Sequence, residues 1–67
     1  MGDEGDFIII TDIEDPRYLK IGKIIKTEVC KYDGEIEFYE VLFCDEEIIK
    51  YDYSLFYENK CKILPFL

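Results

Sequence analysis

The stretch EIEFYEVLFCDEEIIKYDYSLF, residues 35–56, decides the fold that this sequence predicts. Glu35–Phe43 is rich in aromatic and β-branched residues, which are typical of a strand. The acidic turn Cys44–Glu47 follows, and its aspartate can bond to nearby backbone groups. Ile48–Asp52 predicts the returning strand, and Ser54–Phe56 is long enough only for one 3₁₀ turn. Because a hairpin alone is marginal in water, the rest of the chain must pack against it.

The first strand of this hairpin carries apolar side chains on both faces. Side chains along a strand point to opposite faces in turn. We expect Tyr39, Val41 and Phe43 to point into the core. The outer face then holds large apolar residues of this strand and of the first strand in the chain: Phe38, Leu42, Phe7 and Ile9. Such an outer apolar patch is typical of a partner or self-association site, unless residues 64–67 fold over it.

Three further strands are predicted outside the hairpin: Phe7–Thr11, Lys23–Lys31 and Lys60–Leu64. The alternation in the middle one is imperfect, so we expect a bulge inside it. Gly22 is expected to form a tight turn or bulge before that strand, and Asp33-Gly34 is the clearest turn signal. Five short strands with frequent turns predict an all-β barrel or sandwich. A closed barrel is favoured because closure removes exposed edges.

Composition and charge limit the classes of function. The 67 residues suffice for one domain, and the 49% apolar content argues against disorder. Residues 1–6 are predicted to be a flexible acidic lead-in and residues 7–67 a single domain. The net charge of −8 repels nucleic-acid phosphates and anionic membranes. The sequence has neither a membrane-spanning apolar run nor a basic leader, so we expect a cytoplasmic protein without a membrane partner.

The sequence carries no catalytic, metal-binding or cofactor-binding signature. It has no histidine, the commonest acid–base residue and metal ligand. Cys30, Cys44 and Cys61 are too far apart for a zinc motif, so we interpret them as free thiols in a reducing compartment. The paired carboxylates lie in predicted turns and strand edges, where water solvates them. We therefore expect no enzyme activity, no metal site and no cofactor.

The order of these motifs resembles that of the SH3-like small barrels, in particular the Tudor and KOW-type modules and small bacterial or phage domains built like them. The segments that carry the resemblance are Phe7–Thr11, Asp15-Pro16-Arg17-Tyr18-Leu19, Gly22-Lys23-Ile24-Ile25, Tyr39-Glu40-Val41-Leu42-Phe43 and Tyr53-Ser54-Leu55-Phe56. The resemblance implies a five-stranded SH3-like barrel with a 3₁₀ turn before the last strand. The chain departs from it in lacking a glycine in the turn Asp45-Glu46-Glu47.

Tudor-like domains hold methylated lysine or arginine in an aromatic cage by cation–π attraction. The resemblance implies candidate cage residues and two acidic helpers: Tyr32, Tyr39, Phe43, Tyr51 and Tyr53, with Glu46 and Asp52. The alternative is that Tyr39, Phe43 and Tyr51 belong to the core and that the remaining tyrosines lie at the rim of the core.

Most of the basic residues lie between Arg17 and Lys31. The KOW resemblance implies that they contact nucleic acid through a possible basic patch: Arg17, Lys20, Lys23 and Lys26. The alternative is that they are edge-strand lysines, which protect a sheet against aggregation. We favour the second interpretation because acidic residues outnumber basic ones two to one.

Three functions follow as hypotheses. The first is a small non-catalytic protein-interaction module or subunit of a larger assembly, with candidate partner-binding residues Phe38, Leu42, Tyr51 and Tyr53. The second is an acidic inhibitor that imitates nucleic acid and occupies the nucleic-acid-binding surface of another protein. The third is direct nucleic-acid binding of the KOW kind, which the net charge disfavours.

Overall fold

A computed structural model describes residues 2–65 of the chain. These residues form mostly β-structure, with a single helical turn. The elements are β1 (Phe7–Ile10), β2 (Ile21–Val29), β3 (Ile36–Phe43), β4 (Ile48–Asp52), α1 (Ser54–Tyr57) and β5 (Cys61–Leu64). All strands pair antiparallel in one five-stranded sheet of order β4-β3-β2-β1-β5. The predicted all-β class with five strands is confirmed.

The two end strands of the sheet, β4 and β5, do not pair with each other in the part of the chain that the structure describes. The predicted closure into a barrel is therefore not seen between residues 2 and 65. Instead, α1 contacts both end strands. Its Leu55 is only 1% exposed and belongs to the core. The helical turn thus covers one side of the core between the ends of the sheet.

The core lies on the inner face of the sheet. Its buried residues are Ile8, Ile10, Ile24, Tyr39, Val41, Phe43, Leu55 and Cys61. The alternation predicted for β3 is confirmed, because Tyr39, Val41 and Phe43 are buried while Phe38 and Leu42 remain partly exposed.

Strand β2 begins earlier than the sequence predicts and includes Gly22, which was expected to form a turn or bulge. Gly22 pairs with Phe43 inside the sheet. The predicted bulge within β2 is confirmed. Ile24 faces Val41 and Lys26 faces Glu40, so Ile25 is one extra residue on β2 between these two pairs. The extra residue allows Ile24 to be buried and Lys26 to be exposed on the other face.

Both predicted turns contain an aspartate that bonds to its own loop. Oδ1 of Asp33 accepts the N–H of Glu35 at 2.9 Å, and Gly34 takes a positive φ of 73°. In the β3–β4 turn, Oδ1 of Asp45 accepts the N–H of Glu47 at 3.1 Å. Glu46 adopts φ 68° there, the left-handed conformation that glycine usually fills.

The segment before β5 is a turn of α-helix rather than the predicted 3₁₀ turn. The N–H of Glu58 donates to the carbonyl of Ser54 at 2.8 Å, which is an i to i−4 bond. Oδ1 of Asp52 accepts the N–H of Ser54 at 2.9 Å. This bond satisfies one of the free donors of the first turn, so the short segment completes an α-helical turn.

Residues 2–6 lie against β2. The N–H of Gly5 donates to the carbonyl oxygen of Ile24 at 2.8 Å. The N–H of Ile24 donates to the carbonyl oxygen of Asp6 at 2.9 Å. The flexibility expected of residues 1–6 stays a prediction. At the other end, Leu64 belongs to β5 and Pro65 is exposed. Phe66 and Leu67, which in the alternative interpretation help to cover the outer patch, lie outside the described residues.

Tyr51 ties β4 to the loop between β1 and β2. Its hydroxyl donates to Oδ2 of Asp15 at 2.9 Å. Burial and this bond to a carboxylate raise the pKa of Tyr51 well above its ordinary value. Tyr51→Phe removes the bond, and we expect the free energy of unfolding at pH 7 to fall by about 1 kcal/mol in urea denaturation.

The same pKa shift predicts an alkaline loss of stability. Above about pH 10 the tyrosine of the unfolded chain loses its proton while folded Tyr51 keeps it, so the unfolded state binds fewer protons and the free energy of unfolding falls as pH rises. This loss should be smaller in Tyr51→Phe. Tyr32→Phe is the matched control because Tyr32 is 98% exposed. Equal behaviour of the two variants contradicts the prediction.

Candidate protein-interaction surfaces

The outer face of the sheet carries apolar side chains at paired positions on four of its five strands, and a lysine holds the paired position on β2. Residues directly opposite each other in a sheet share a face. Phe7 pairs with Leu64 on one side and with Lys23 on the other. Lys23 in turn pairs with Leu42, and Leu42 with Ile48. We call Leu64, Phe7, Leu42 and Ile48 the outer apolar row.

Lys23 is the one charged side chain at a position within the outer apolar row. Its Nζ lies 5.7 Å from the centre of the Phe7 ring. This distance is within reach of a cation–π contact. A lysine in this position lays its aliphatic stem along apolar surface and keeps its ammonium in water. Lys23 thus occupies the position between Phe7 and Leu42, its paired neighbours on β1 and β3.

A groove adjoins the outer apolar row at the start of β2 and the end of β3. Its volume is about 540 Å³. The residues that line it are Phe7, Leu19, Lys20, Ile21, Gly22, Lys23, Leu42, Phe43 and Cys44. Ile9 pairs with Ile21 next to it on the same outer face. We call this depression the outer groove; the charged residues in its lining are both lysines.

Phe38 lies on the same outer face as Leu42 but not in the same patch. Lys26, Glu40 and Lys50 occupy the paired positions between the two residues on three neighbouring strands. Nζ of Lys50 lies 4.6 Å from the centre of the Phe38 ring and 2.8 Å from Oε2 of Glu28. The ion pair lowers the pKa of Glu28 and raises that of Lys50. The structure therefore brings Leu42, Phe7 and Ile9 together, and it leaves Phe38 beside a polar group.

The other two candidate partner-binding residues lie away from the outer apolar row. Tyr51 is half-buried at the edge of the core, where its ring meets Phe43 at 6.5 Å between centres. Tyr53 is exposed and stands beside Tyr57, with ring centres 6.0 Å apart.

The four residues of the possible basic patch are partly occupied by contacts within the protein. Arg17 forms an ion pair with Glu47 and lies 5.3 Å from the centre of the Phe43 ring. Lys26 lies 3.9 Å from Glu40. Lys20 and Lys23 both line the outer groove. These residues therefore do not present four free cations on one surface.

The structure does not gather the expected aromatic cage. Tyr32 is almost fully exposed, Phe43 is buried, and the hydroxyl of Tyr51 is bonded to Asp15. Asp52 accepts bonds from the hydroxyl and the N–H of Ser54, which lower its pKa.

Two of the expected cage residues, Tyr39 and Tyr53, line a second depression, of about 450 Å³, together with Tyr57. Its lining residues are Cys30, Asp33, Glu35, Ile36, Glu37, Tyr39, Tyr53 and Tyr57. We call it the tyrosine pocket. Tyr57 played no part in the sequence interpretation. Tyr57 follows Tyr53 by four residues. This spacing is a signal that the two side chains are neighbours, because residues i and i+4 are adjacent on a helix. The signal was missed because the segment was interpreted as a 3₁₀ turn.

The cysteines and acidic residues were also considered as metal ligands. Cys30, Cys44 and Cys61 are free thiols there, and burial raises the pKa of Cys61 to about 11. In this part of the chain, no group of three or more cysteine or acidic side chains is placed to hold a metal ion. Over the same residues the structure has no helix with the length and apolar character needed to cross a membrane.

Comparisons of the chain with protein-family models, with curated proteins and with solved structures found no match.

Proposed function

We propose that this protein is a small non-catalytic protein-interaction module, or the corresponding subunit of a larger assembly. The observation that carries the proposal is the outer apolar row together with the outer groove. Apolar patches on the surface of a soluble domain are typical of docking surfaces, and this one has apolar positions on four of the five strands. Within the outer apolar row Ile48 is 53% exposed, and Phe7, Leu42 and Leu64 are half-buried, so an occupant would cover apolar surface that water now reaches.

The proposal includes an SH3-like barrel as the fold family. Three features support this assignment: the order of the strands along the chain, the return of β5 to pair with β1, and the helical turn between β4 and β5. An architecture of this kind hosts many unrelated functions, so the partner must be argued from the surface itself.

The occupant that fits the surface is an apolar side-chain cluster of another protein, flanked by carboxylates. The charged residues that line the outer groove are Lys20 and Lys23, and opposite charges across an interface favour one partner over others. A second copy of the same groove would bring two further lysines to face these two. Charge complementarity therefore favours a different protein over self-association.

The test is a capture experiment with the wild-type chain and two matched variants. Leu42→Asp places a carboxylate in the middle of the outer apolar row, and we expect about 100-fold weaker partner binding, since burial of one leucine accounts for about 1.5–3 kcal/mol. Phe38→Asp makes the same kind of change on the same strand and the same face, but outside the row. We expect it to bind normally.

Capture is carried out from lysate at low and at high salt, with nuclease treatment in parallel. A protein held by the wild type and by Phe38→Asp at high salt, but lost by Leu42→Asp, supports the proposal. Equal capture by Leu42→Asp overturns it, as does a partner that nuclease removes. Circular dichroism shows whether both variants keep the β-sheet. Sedimentation of the purified chain distinguishes a second copy from a foreign partner.

A second candidate function is the acidic inhibitor that imitates nucleic acid. The observation that favours it is the small number of ion pairs: between residues 2 and 65 there are four, against 16 acidic residues in the chain. A partner of this kind is lost at high salt because ions screen exposed charges. Direct nucleic-acid binding of the KOW kind is less well supported, because Arg17 and Lys26 already face carboxylates.

A further inference from the structure

One side of β4 is a free edge of the sheet, because β4 pairs only with β3. The N–H of Phe43 donates to the carbonyl oxygen of Glu47 at 2.9 Å. Bonded and non-bonded pairs alternate along an antiparallel ladder, so Ile49, two residues further on, also bonds to β3. The residues at the alternate positions turn their backbone N–H and C=O groups to the free edge: Ile48, Lys50 and Asp52.

These outward backbone groups have no partner elsewhere in the part of the chain that the structure describes. Among the backbone bonds of turns and loops between residues 2 and 65, none involves an N–H or C=O of Ile48, Lys50 or Asp52. The elements that β4 contacts in this range are β3 and α1. A row of unpaired backbone groups on an edge strand is a template on which another extended chain can pair.

The two edges of the sheet differ in how they are protected. Natural edge strands are guarded by lysine, by proline or by a bulge. The other edge strand, β5, carries exposed Lys62, which has no ion pair among residues 2–65, and Pro65 follows it directly. By contrast, β4 contains no proline, and its pairing with β3 shows no bulge. Its edge therefore depends on Lys50 for protection.

The side chain of Lys50 leans away from that edge. Its Nζ lies 4.6 Å from the centre of the Phe38 ring on β3 and 2.8 Å from Oε2 of Glu28 on β2. Because the strand order is β4-β3-β2, this ion pair holds the ammonium group over the sheet, inward of the edge. The lysine thus leaves the backbone of β4 open to a further strand.

The charges around β4 select the kind of strand that can pair there. Asp45 and Glu46 lie in the turn before β4, and Asp52 ends it. None of the three carboxylates has a basic partner within 4 Å among residues 2–65. A second copy of this edge brings the same carboxylates and is repelled, whereas basic residues at both ends of an incoming strand are attracted. Between the acidic ends, Ile48 is 53% exposed and suits an apolar neighbour.

We propose that the free edge of β4 binds an extended segment of a partner protein, which adds a strand to the sheet in antiparallel orientation. The segment carries an apolar residue opposite Ile48 and basic residues opposite Asp52 and beside the acidic turn. Main-chain hydrogen bonds hold such a strand, and alternate side chains give it specificity. The expected partner is basic, the reverse of the partner that fits the outer groove, so this inference does not depend on the proposed function.

The experiment titrates the full chain with the acetylated and amidated peptide Lys-Val-Thr-Val-Ile-Thr-Lys. In the proposed register its first lysine lies opposite Asp52, its first threonine opposite Lys50 and its isoleucine opposite Ile48. Binding is followed by NMR and by hydrogen exchange of the backbone amides of β4. We expect saturable shifts along β4. At saturation the amides of Ile48 and Lys50 should exchange at least about tenfold more slowly, because they gain acceptors, while that of Ile49 changes little.

Two N-methylated peptides separate strand pairing from attraction between side chains. Methylation of the first threonine and the isoleucine blocks the two N–H groups that face β4 but keeps every side chain and charge. We expect at least about tenfold weaker binding, as the loss of two backbone hydrogen bonds implies. Methylation of the two valines blocks N–H groups that point away from β4, so this control peptide should bind within about threefold of the parent.

Matched variants of the protein test the role of charge. Glu46→Gln with Asp52→Asn removes two carboxylates beside β4, and asparagine keeps an oxygen that can accept the bond from Ser54. We expect about three- to fivefold weaker binding of the parent peptide, as for exposed ionic contacts. The control, Glu14→Gln with Glu35→Gln, changes the net charge equally at exposed positions outside β4 and its turn.

Four outcomes overturn the inference. The first is the absence of saturable shifts with the parent peptide. The second is equal weakening by both N-methylated peptides, or by neither, since pairing at this edge uses only one of the two sets of N–H groups. The third is slow exchange of the Ile48 and Lys50 amides in the free protein, which means that the edge is already covered. The last is an equal loss in the control variant, which attributes binding to the overall charge of the protein.

Discussion

Replacing Leu55 by alanine is expected to unfold a large fraction of the molecules at 25 °C. Leu55 is 1% exposed and is the residue by which α1 enters the core. Truncation of a buried leucine to alanine removes about 2–5 kcal/mol, part from lost burial and part from the cavity left behind. A single core in a chain shorter than about 70 residues rarely supplies more than about 3–5 kcal/mol in total.

The size of this effect reflects the open arrangement of the sheet. β4 and β5 make no hydrogen bonds to each other between residues 2 and 65, so α1 is the element that connects the two ends. Its Phe56 also packs on Tyr39, with 5.0 Å between ring centres. Loss of Leu55 therefore opens one side of the core to water.

Urea denaturation, followed by circular dichroism, measures the change. The matched control is Ile13→Ala, another aliphatic truncation, at a position that is 77% exposed. It should change the free energy of unfolding by no more than about 0.5 kcal/mol. A loss below about 1 kcal/mol for Leu55→Ala shows that α1 does not hold the core together.

The second large effect is expected from the smallest substitution, Gly22→Ala. A Cβ at position 22 would lie 2.5 Å from Cγ1 of Val41 and 3.1 Å from the ring of Phe43. Both neighbours are buried, so neither can move into water. Overpacking of this kind costs about 1–3 kcal/mol. The loss occurs although alanine is otherwise better than glycine within a strand.

A double-mutant cycle identifies the cause. Val41→Ala removes the atom closest to the new methyl group, and on its own it destabilises by leaving a cavity. In the double variant Gly22→Ala with Val41→Ala, the new methyl group occupies part of that cavity. We expect the combined loss of unfolding free energy to be about 1 kcal/mol smaller than the sum of the single losses. Additive losses contradict the close packing of Gly22 against Val41.

Local patterns predicted much of the architecture. The alternation of Tyr39, Val41 and Phe43 identified the inner face of β3, because strand periodicity does not depend on distant residues. In both hairpin turns an aspartate accepts a backbone hydrogen bond from its own turn, as short-range chemistry predicts. By contrast, Ile24 and Ile25 are both apolar, so the pattern alone indicated a bulge in β2 but not its position.

The candidate surfaces were less predictable because they depend on several strands at once. Alternation along β3 already places Glu40 between Phe38 and Leu42, but only the register of three strands places Lys26 and Lys50 beside it. The tyrosine pocket requires the β2–β3 turn to meet α1, two segments far apart in the chain. The helical turn also begins with a bond from the N–H of Ser54 to Asp52, which composition and length do not reveal.

The pairing of Phe7 with Leu64 has a consequence for anything attached to this protein. Since the two residues lie opposite each other, the chain enters the sheet and leaves it at the same place, beside the outer apolar row. A fused domain, an affinity tag or a solid support joined shortly after Leu64 therefore starts close to this surface, whereas one joined ahead of Gly2 starts beside Phe56 of α1. A short linker shields the row from a partner, whereas a long flexible one leaves it accessible. Attachment length thus acts as a steric control on docking.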